Sequence, residues 1–320
     1  MRRRTVCAAL AWGVAGHASS VGLAGPADAQ LVVPFPAGAT SDALARVVLP
    51  AVAQRLGRRI AIDNRPGAGG TLGTASAARM PADGRTLLWG TVSNMAIAPA
   101  LYPHAGYTEA DFDPVALLMG MPHVLTVPAM RPWRRMDDVV EAARREPGAL
   151  TVASSGNGTI SHLMAELWQR RTGTTLLHVP YRSGPQGLPD HIAGRIDLRL
   201  DTLLDALGPL QTGRLRALAQ SGVQRSALLP DVPIMAEAGV DGLVATGWFA
   251  LYAPRGTPAA EREAWQDAWL AAMDDPLVQQ ALLAQGVILQ LGDAAALARH
   301  SRSEALRWGN LVRELGIQPG

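Results

Sequence analysis

The chain of 320 residues is long enough for two domains, and its one cysteine rules out a disulfide framework. It contains no lysine, which excludes a Schiff-base enzyme and a P-loop lysine. All 29 basic residues are therefore arginine, set against 27 acidic ones for a formal net charge of +2. They form no cluster of the kind that nucleic-acid binding requires.

The first 29 residues read as a secretory signal. Arg2, Arg3 and Arg4 make a positive n-region, residues 6–14 a short apolar run, and Ala27-Asp28-Ala29 a small-x-small cleavage site. Cleavage is expected after Ala29, leaving Gln30 as the first mature residue. The apolar run falls well short of the roughly 20 residues that a membrane span needs. Cys7 precedes most of that run, so it is misplaced for lipid attachment and leaves with the signal. The mature chain then has no cysteine for disulfides or thiol catalysis, and its charges balance at 26 basic against 26 acidic residues.

Past the signal, strands alternate with helices, the pattern of an α/β protein with parallel-rich sheets. Residues 31–35 predict a strand that enters a loop at 36–42. A helix follows with Leu44, Val47, Val48, Val52 and Leu56 on one face. Pro50 lies inside it and predicts a kink or break at Leu49-Pro50, because proline removes one hydrogen bond and clashes with the preceding turn. Gly67-Ala68-Gly69-Gly70 with Gly73 lacks the Gly-x-Gly-x-x-Gly spacing, and the next strand ends without an acidic residue, so no dinucleotide site is expected. It reads as a glycine turn that lets the following helix pack closely. Residues 86–90 predict a strand that enters Thr91, Val92, Ser93 and Asn94.

The most informative stretch is 150–162, where a short strand runs into Ser154, Ser155, Gly156, Asn157, Gly158 and Thr159. Ile160, Leu163, Met164, Leu167 and Trp168 then recur at helical spacing. Such a strand–loop–helix aims backbone N–H groups and the positive end of a helix dipole at one spot, a site for a small anion. Two more strands follow, 176–179 into Tyr181, Arg182 and Ser183, and 196–200 into Asp201 and Thr202. Helices close the chain, one carrying Trp265, Trp269 and Met273, another Leu297, Ala305, Trp308, Leu311 and Leu315. Open α/β sheets bind ligands at the carboxyl ends of their strands, so five polar loops of one type argue for a site.

The seven histidines show no His-Glu-x-x-His or other zinc spacing, so neither a metal nor a cofactor is expected. An alternative is a hydrolase triad of Ser154 or Ser155 with His162 and Asp201. No Gly-x-Ser-x-Gly elbow carries either serine, although a triad is defined by geometry and not by spacing.

At these loops the chain resembles the solute receptors of tripartite tricarboxylate transporters, the Bug proteins. The matching segments are Val-Pro-Phe-Pro-Ala-Gly at 33–38 with Asp42, Asn-Arg-Pro-Gly-Ala-Gly-Gly at 64–70 and Ala-Asp-Gly-Arg-Thr-Leu-Leu at 82–88. Pro-Ala-Leu-Tyr at 99–102, the 154–162 stretch, Val-Pro-Tyr-Arg at 179–182 and Leu-Pro-Asp-Val-Pro at 229–233 with Glu237-Ala238-Gly239 continue the order. Trp248-Phe249 and Ala253-Pro254 with Gly256-Thr257-Pro258 complete it.

The resemblance implies a type II-like, two-lobed periplasmic binding protein, with two crossover strands and a ligand cleft between the lobes. The crossovers are expected at 123–128 and 247–252, giving lobe one as 30–124 plus 246–320 and lobe two as 125–245. It also implies a monomeric periplasmic receptor that is not an enzyme. Its partners would be a small carboxylate (amino acid, di- or tricarboxylate or aromatic acid) and the transporter's membrane subunits or a sensor protein. The 154–159 loop would take a carboxylate, with His162 just inside the helix. Gly38, Thr40, Ser41 and Asp42 would meet the ligand from the opposite lobe, together with Thr91, Val92, Ser93 and Asn94. Tyr181, Arg182 and Ser183 would close the side, and Asp201 would orient water or a ligand donor. The chain departs from the family at Gly38-Ala39 in place of a glycine pair, at Ser41 in place of threonine, and at Leu200-Asp201-Thr202 in place of Phe-Asp-Asn.

Overall fold

The computed structural model describes residues 28–317; the expected signal lies outside them apart from Asp28 and Ala29. Ala29 already opens the first strand, where its backbone N–H reaches the Arg59 carbonyl at 3.1 Å. Among the described residues no helix is long and apolar enough to cross a membrane.

The chain runs β1 (Ala29–Val33), α1 (Thr40–Leu56), β2 (Ile60–Asn64), α2 (Thr71–Ala77), β3 (Thr86–Thr91), a π-helical turn (Val92–Ile97), α3 (Ala98–Leu101) and β4 (Phe112–Pro128). It continues through α4 (Met136–Arg145), β5 (Thr151–Ser154), α5 (Ile160–Thr172), β6 (Leu177–Pro180), α6 (Gly184–Ile192), β7 (Leu198–Thr202), α7 (Leu203–Gln211) and β8 (Leu215–Gln220). It ends with β9 (Thr246–Pro254), α8 (Ala259–Met273), α9 (Pro276–Leu283), β10 (Ile288–Gly292) and α10 (Ala294–Leu315).

Two groups of strands share one long strand. β1 pairs in parallel with β2 and β3, and β5 pairs in parallel with β6 and β7. The 17-residue β4 joins the groups: its Phe112–Pro122 part pairs with β9, and from His123 onward it pairs with β7 and β8. The exchange of partners thus begins at Pro122-His123, inside a continuous strand. Among the described residues β9 pairs only with β3 and β4, so the return passes just before it, at Ala245, and not within 247–252.

Ser221, fully buried, ties both crossing segments together. Its hydroxyl accepts the His123 N–H at 2.9 Å and donates to the Ala245 carbonyl, while its backbone N–H donates to His123 O and its carbonyl accepts the Ala245 N–H, both at 2.9 Å.

Apolar periodicity becomes two cores. Leu44, Val48 and Val52 of α1 bury against one face of β1, β3 and β9 together with Trp265 and Trp269 of α8. Leu163 and Trp168 of α5, Leu200, Trp248 and Trp308 of α10 belong to the other. α1 is continuous through Pro50, so of the expected kink or break it shows no break. Pro50 is exposed, and the buried stripe on the opposite side holds the helix in one piece across it. Gly73 sits where a Cβ would lie 2.3 Å from the Arg65 carbonyl, which explains why α2 packs so near the turn before it.

Candidate functional site

The carboxyl ends of β1, β3, β5, β6 and β7 each pass into a helical start, and all five starts open on one cavity of about 80 Å³. Thr40 and Ser41 come from α1, Val92 and Ser93 from the π-helical turn with its N-cap Thr91, Ile160 from α5 with its N-cap Thr159, Gly184 from α6 with its N-cap Ser183, and Asp205 from α7 with its N-cap Thr202. The first N–H groups of a helix have no intrahelical acceptor and carry its positive end, so their convergence suits an anion. A water needs about 10–15 Å³ by this measure, so the cavity has room for on the order of six waters or a small organic molecule. Phe35, Met121, Leu200, Trp248 and Phe249 give it apolar walls.

Of the expected site residues, Thr40, Ser41, Thr91, Val92, Ser93, Ser155, Thr159, Arg182, Ser183 and Asp201 line this cavity. The others stand around it for definable reasons. Asp42 is buried beneath the first loop, where its carboxylate accepts from Gly38 N (2.9 Å), Arg46 Nε (2.8 Å) and Asn64 Nδ2 (3.0 Å). These bonds hold the Asp42 carboxyl below its ordinary range despite the opposing effect of burial. Buried and engaged by three donors, it shapes the Gly38 turn and is absent from the cavity lining. Asn94 is likewise occupied: Oδ1 accepts the Thr91 N–H and hydroxyl, and Nδ2 donates to Thr74 Oγ1 at 2.8 Å.

The Ser154 hydroxyl lies 2.7 Å from His178 Nε2, beneath the loop. His162 accepts the Gly158 N–H on Nδ1 at 3.2 Å and stacks on His178 with ring centroids 4.2 Å apart. Burial, then the neighbouring His178, pushes His162 down to about 4. Neither serine therefore faces His162 in a triad, and Asp201 is engaged by Arg199 instead. Gly156, Asn157 and Tyr181 line a second groove beside the cavity mouth, facing Gly67 to Gly70 and Tyr102; Arg182 belongs to both. The Tyr181 hydroxyl is turned to Asp190 at 2.7 Å.

Hydrogen bonds span the cleft from one strand group to the other. Ile160 N–H donates to Ser93 Oγ at 3.2 Å and the Tyr102 hydroxyl to Asn157 O at 3.1 Å. Thr40 Oγ1 lies 2.9 Å from Thr202 Oγ1 and donates to Asp205 Oδ1 at 3.1 Å. The two sides are in contact around the cavity.

Beneath it lies a charged group that sequence reading largely missed. Arg199 is only 1% exposed; its Nη2 donates to Gly184 O at 2.7 Å and to Asp201 Oδ1, while Nε and Nη1 have no partner. Asp201 is 7% exposed, and its Oδ2 is without a partner. Burial raises the Asp201 carboxyl to about 7 against the pull of Arg199, and burial raises Asp205 as well. Alternation held the clue, since Arg199 and Asp201 flank Leu200 in a strand whose apolar residues mark it as buried. Asp205 resembled an ordinary helix-start acid and carried no such signal. His123 and Trp248 also line the cavity, with His123 Nδ1 and Trp248 Nε1 unpartnered, and burial pushes His123 down to about 4, so its ring is neutral.

Residues 44–317 match the family described as the tripartite tricarboxylate transporter family receptor, TctC. Protein BugT of Bordetella pertussis is 32% identical over 310 residues, covering 94% of this chain and 95% of BugT. A solved structure of Rpa4515 from R. palustris with adipate superposes with a TM-score of 0.87 at 33% identity, covering 92% of this chain and 98% of that one. MatC from Rhodopseudomonas palustris with bound malate gives 0.84 at 31% identity, covering 89% and 98%. The chain belongs to the TctC, or Bug, family of tripartite tricarboxylate transporter receptors and has its two-lobed periplasmic-binding-protein fold.

Proposed function

We propose that this protein is exported by cleavage of residues 1–29, captures a small carboxylate by closing its lobes, and delivers it to the membrane subunits of a tripartite tricarboxylate-type transporter. The observation that carries the reading is the convergence of five helical starts on one small cavity. The adipate and malate in the two Rhodopseudomonas structures support the same ligand chemistry. We assign one lobe to 30–124 with 246–320 and the other to 125–245, a division supported by the partner exchange along β4. The ligand contacts both lobes only when they are together, so it shifts the population toward the closed form.

The 154–159 loop acts chiefly through its backbone, since its hydroxyls bond to one another and to His178. A thermal-shift screen of residues 30–320 against mono-, di- and tricarboxylates tests the reading. A ligand at 100 times its Kd stabilises by about 2.7 kcal/mol, which moves the melting temperature by several degrees. Response to cationic or neutral solutes alone, with none to any carboxylate, would overturn it.

A further inference from the structure

We infer that His162 and His178 are positioning residues, a stacked pair that holds the 154–159 loop in its binding shape only while both rings are uncharged. Protons then compete with lobe closure, and the receptor gives up its solute as the medium turns acid. The inference rests on the receptor reading above and adds a regulation to the same cleft.

The loop is gripped from two sides. From across the cleft, the Tyr102 hydroxyl donates to Asn157 O at 3.1 Å, Ser93 Oγ accepts the Ile160 N–H at 3.2 Å, and Leu101 and Tyr102 leave no room for a Cβ at Gly158. From beneath, His162 Nδ1 accepts the Gly158 N–H at 3.2 Å, and His178 stacks on the same ring at 4.2 Å with the planes 12° apart. Ser154 Oγ anchors His178 at Nε2, 2.7 Å away. A proton on His162 Nδ1 turns that acceptor into a donor aimed at another donor. A charge on both rings sets two cations face to face.

The surrounding charges do not offset this. On α5, Glu166 Oε1 lies 3.8 Å from His162 Nε2, which favours a charged ring but is beyond hydrogen-bonding distance. β5, the π-helical turn and α3 carry no charged side chain, and the phenol of Tyr102 next to α3 is kept neutral by burial. On β7, Arg199 and Asp201 bond to each other and alternate with Leu198 and Leu200, which share the apolar core of α5. Arg170 of α5 pairs with Glu314 of α10, both exposed, and Arg182 is exposed at the cavity mouth. Burial, then His178, holds His162 down to about 4, and burial lowers His178 too. When the lobes part, Leu101 and Tyr102 leave the loop and the rings regain water, so their hold on a proton returns toward the ordinary 6.5. Between these limits the open form binds the extra proton, and falling pH therefore favours opening and weakens binding.

Titration calorimetry with adipate and with malate, at pH 7.5 and at pH 5, tests this. On acidification the Kd of the parent should rise about tenfold more than that of His162→Asn, whose Oδ1 takes the place of Nδ1 and accepts the Gly158 N–H without titrating. Each probe's own ionisation is common to parent and variant, so the comparison isolates the histidine. At pH 7.5 His162→Leu, which has no acceptor, should bind about tenfold more weakly than His162→Asn. His178→Gln keeps a partner for Ser154 and serves as a second variant if circular dichroism shows His162→Asn to be unfolded. It removes the neighbouring cation and should shrink the acid loss by about threefold or more. In the ligand-free protein, the Gly158 amide resonance should shift with the same midpoint as the His162 ring. An acid loss equal in the parent and the folded variant overturns the inference, as does a Gly158 amide indifferent to the ring titration. Should neither probe nor any carboxylate of the wider screen bind while amide and ring titrate together, the receptor reading falls and the positioning of the loop stands.

Discussion

Two strand ends meet the same cavity in opposite ways. After β5 the 154–159 loop is rich in hydroxyls, yet they are bonded within the protein: Ser154 to His178, Ser155 to Thr159 and Ser161, Thr159 to the Gly156 carbonyl. At the end of β7 the chain is sparser in polar groups, yet Asp201 Oδ2 and two nitrogens of Arg199 have no protein partner. A loop's stock of hydrogen-bonding side chains therefore measures how firmly it holds its own shape. Affinity for a solute is better sought where valences remain open, because an unsatisfied buried group gains most from a new partner.

The sharpest way to break this comparison is to disturb the loop's backbone. Gly158 has φ +73°, and a Cβ there would lie 2.8 Å from Leu101 Cδ2 and 2.9 Å from the Tyr102 ring, across the cleft. Gly158→Val should cost about 2 kcal/mol or more of binding, roughly 30-fold in affinity by titration calorimetry. Unchanged affinity would mean that close approach at this point is not needed.

The charged strand end predicts a pH signature. An unfolded Asp201 ionises near 3.8, while the folded one holds its proton to about 7. The folded chain therefore binds the extra proton between these limits, and Asp201 makes stability fall as pH rises through the window. Asp201→Asn removes that slope, so its stability relative to the parent should improve from pH 4 to 7 by up to a few kcal/mol, at about 1.4 kcal/mol per pKa unit. Parallel curves in urea unfolding at the two pH values would count against the burial argument.

His162 predicts the opposite sign on the loop side. Unfolded it takes a proton near 6.5, folded only near 4, so stability is lost as pH falls from 6.5 to 4. His162→Gln should flatten part of that acid slope by about 1–3 kcal/mol, read as melting temperature against pH; an unaltered slope would place the acid sensitivity elsewhere. The smallest effect is expected at Ser154. Its hydroxyl serves His178 and Gly156, so Ser154→Ala should change affinity less than about threefold, under about 1 kcal/mol. A loss of activity toward any ester, or a large loss of affinity, would restore a direct role for that serine.

The alternation of strands and amphipathic helices was legible because periodicity is local, and it placed all five strand–loop–helix units. The partners that remove a side chain from the cleft were not, since they lie far off in sequence: Asn64 for Asp42, Thr74 for Asn94, His178 for Ser154. The return crossing was misplaced into β9 because an apolar strand looks the same whether it changes sheets or continues in one. That Pro50 does not end its helix was hidden for a related reason, the penalty of proline being local while the buried stripe that offsets it is tertiary.

Ser221 gives the two crossings a common mechanical fate. Bonded at one point to His123 and to Ala245, it couples them like two wires soldered at the same joint. Independent bending of either would rupture hydrogen bonds of a fully buried serine, which favours their moving together. In the proposed lobe closure, opening would then be confined to one axis, with the two crossings turning as a unit.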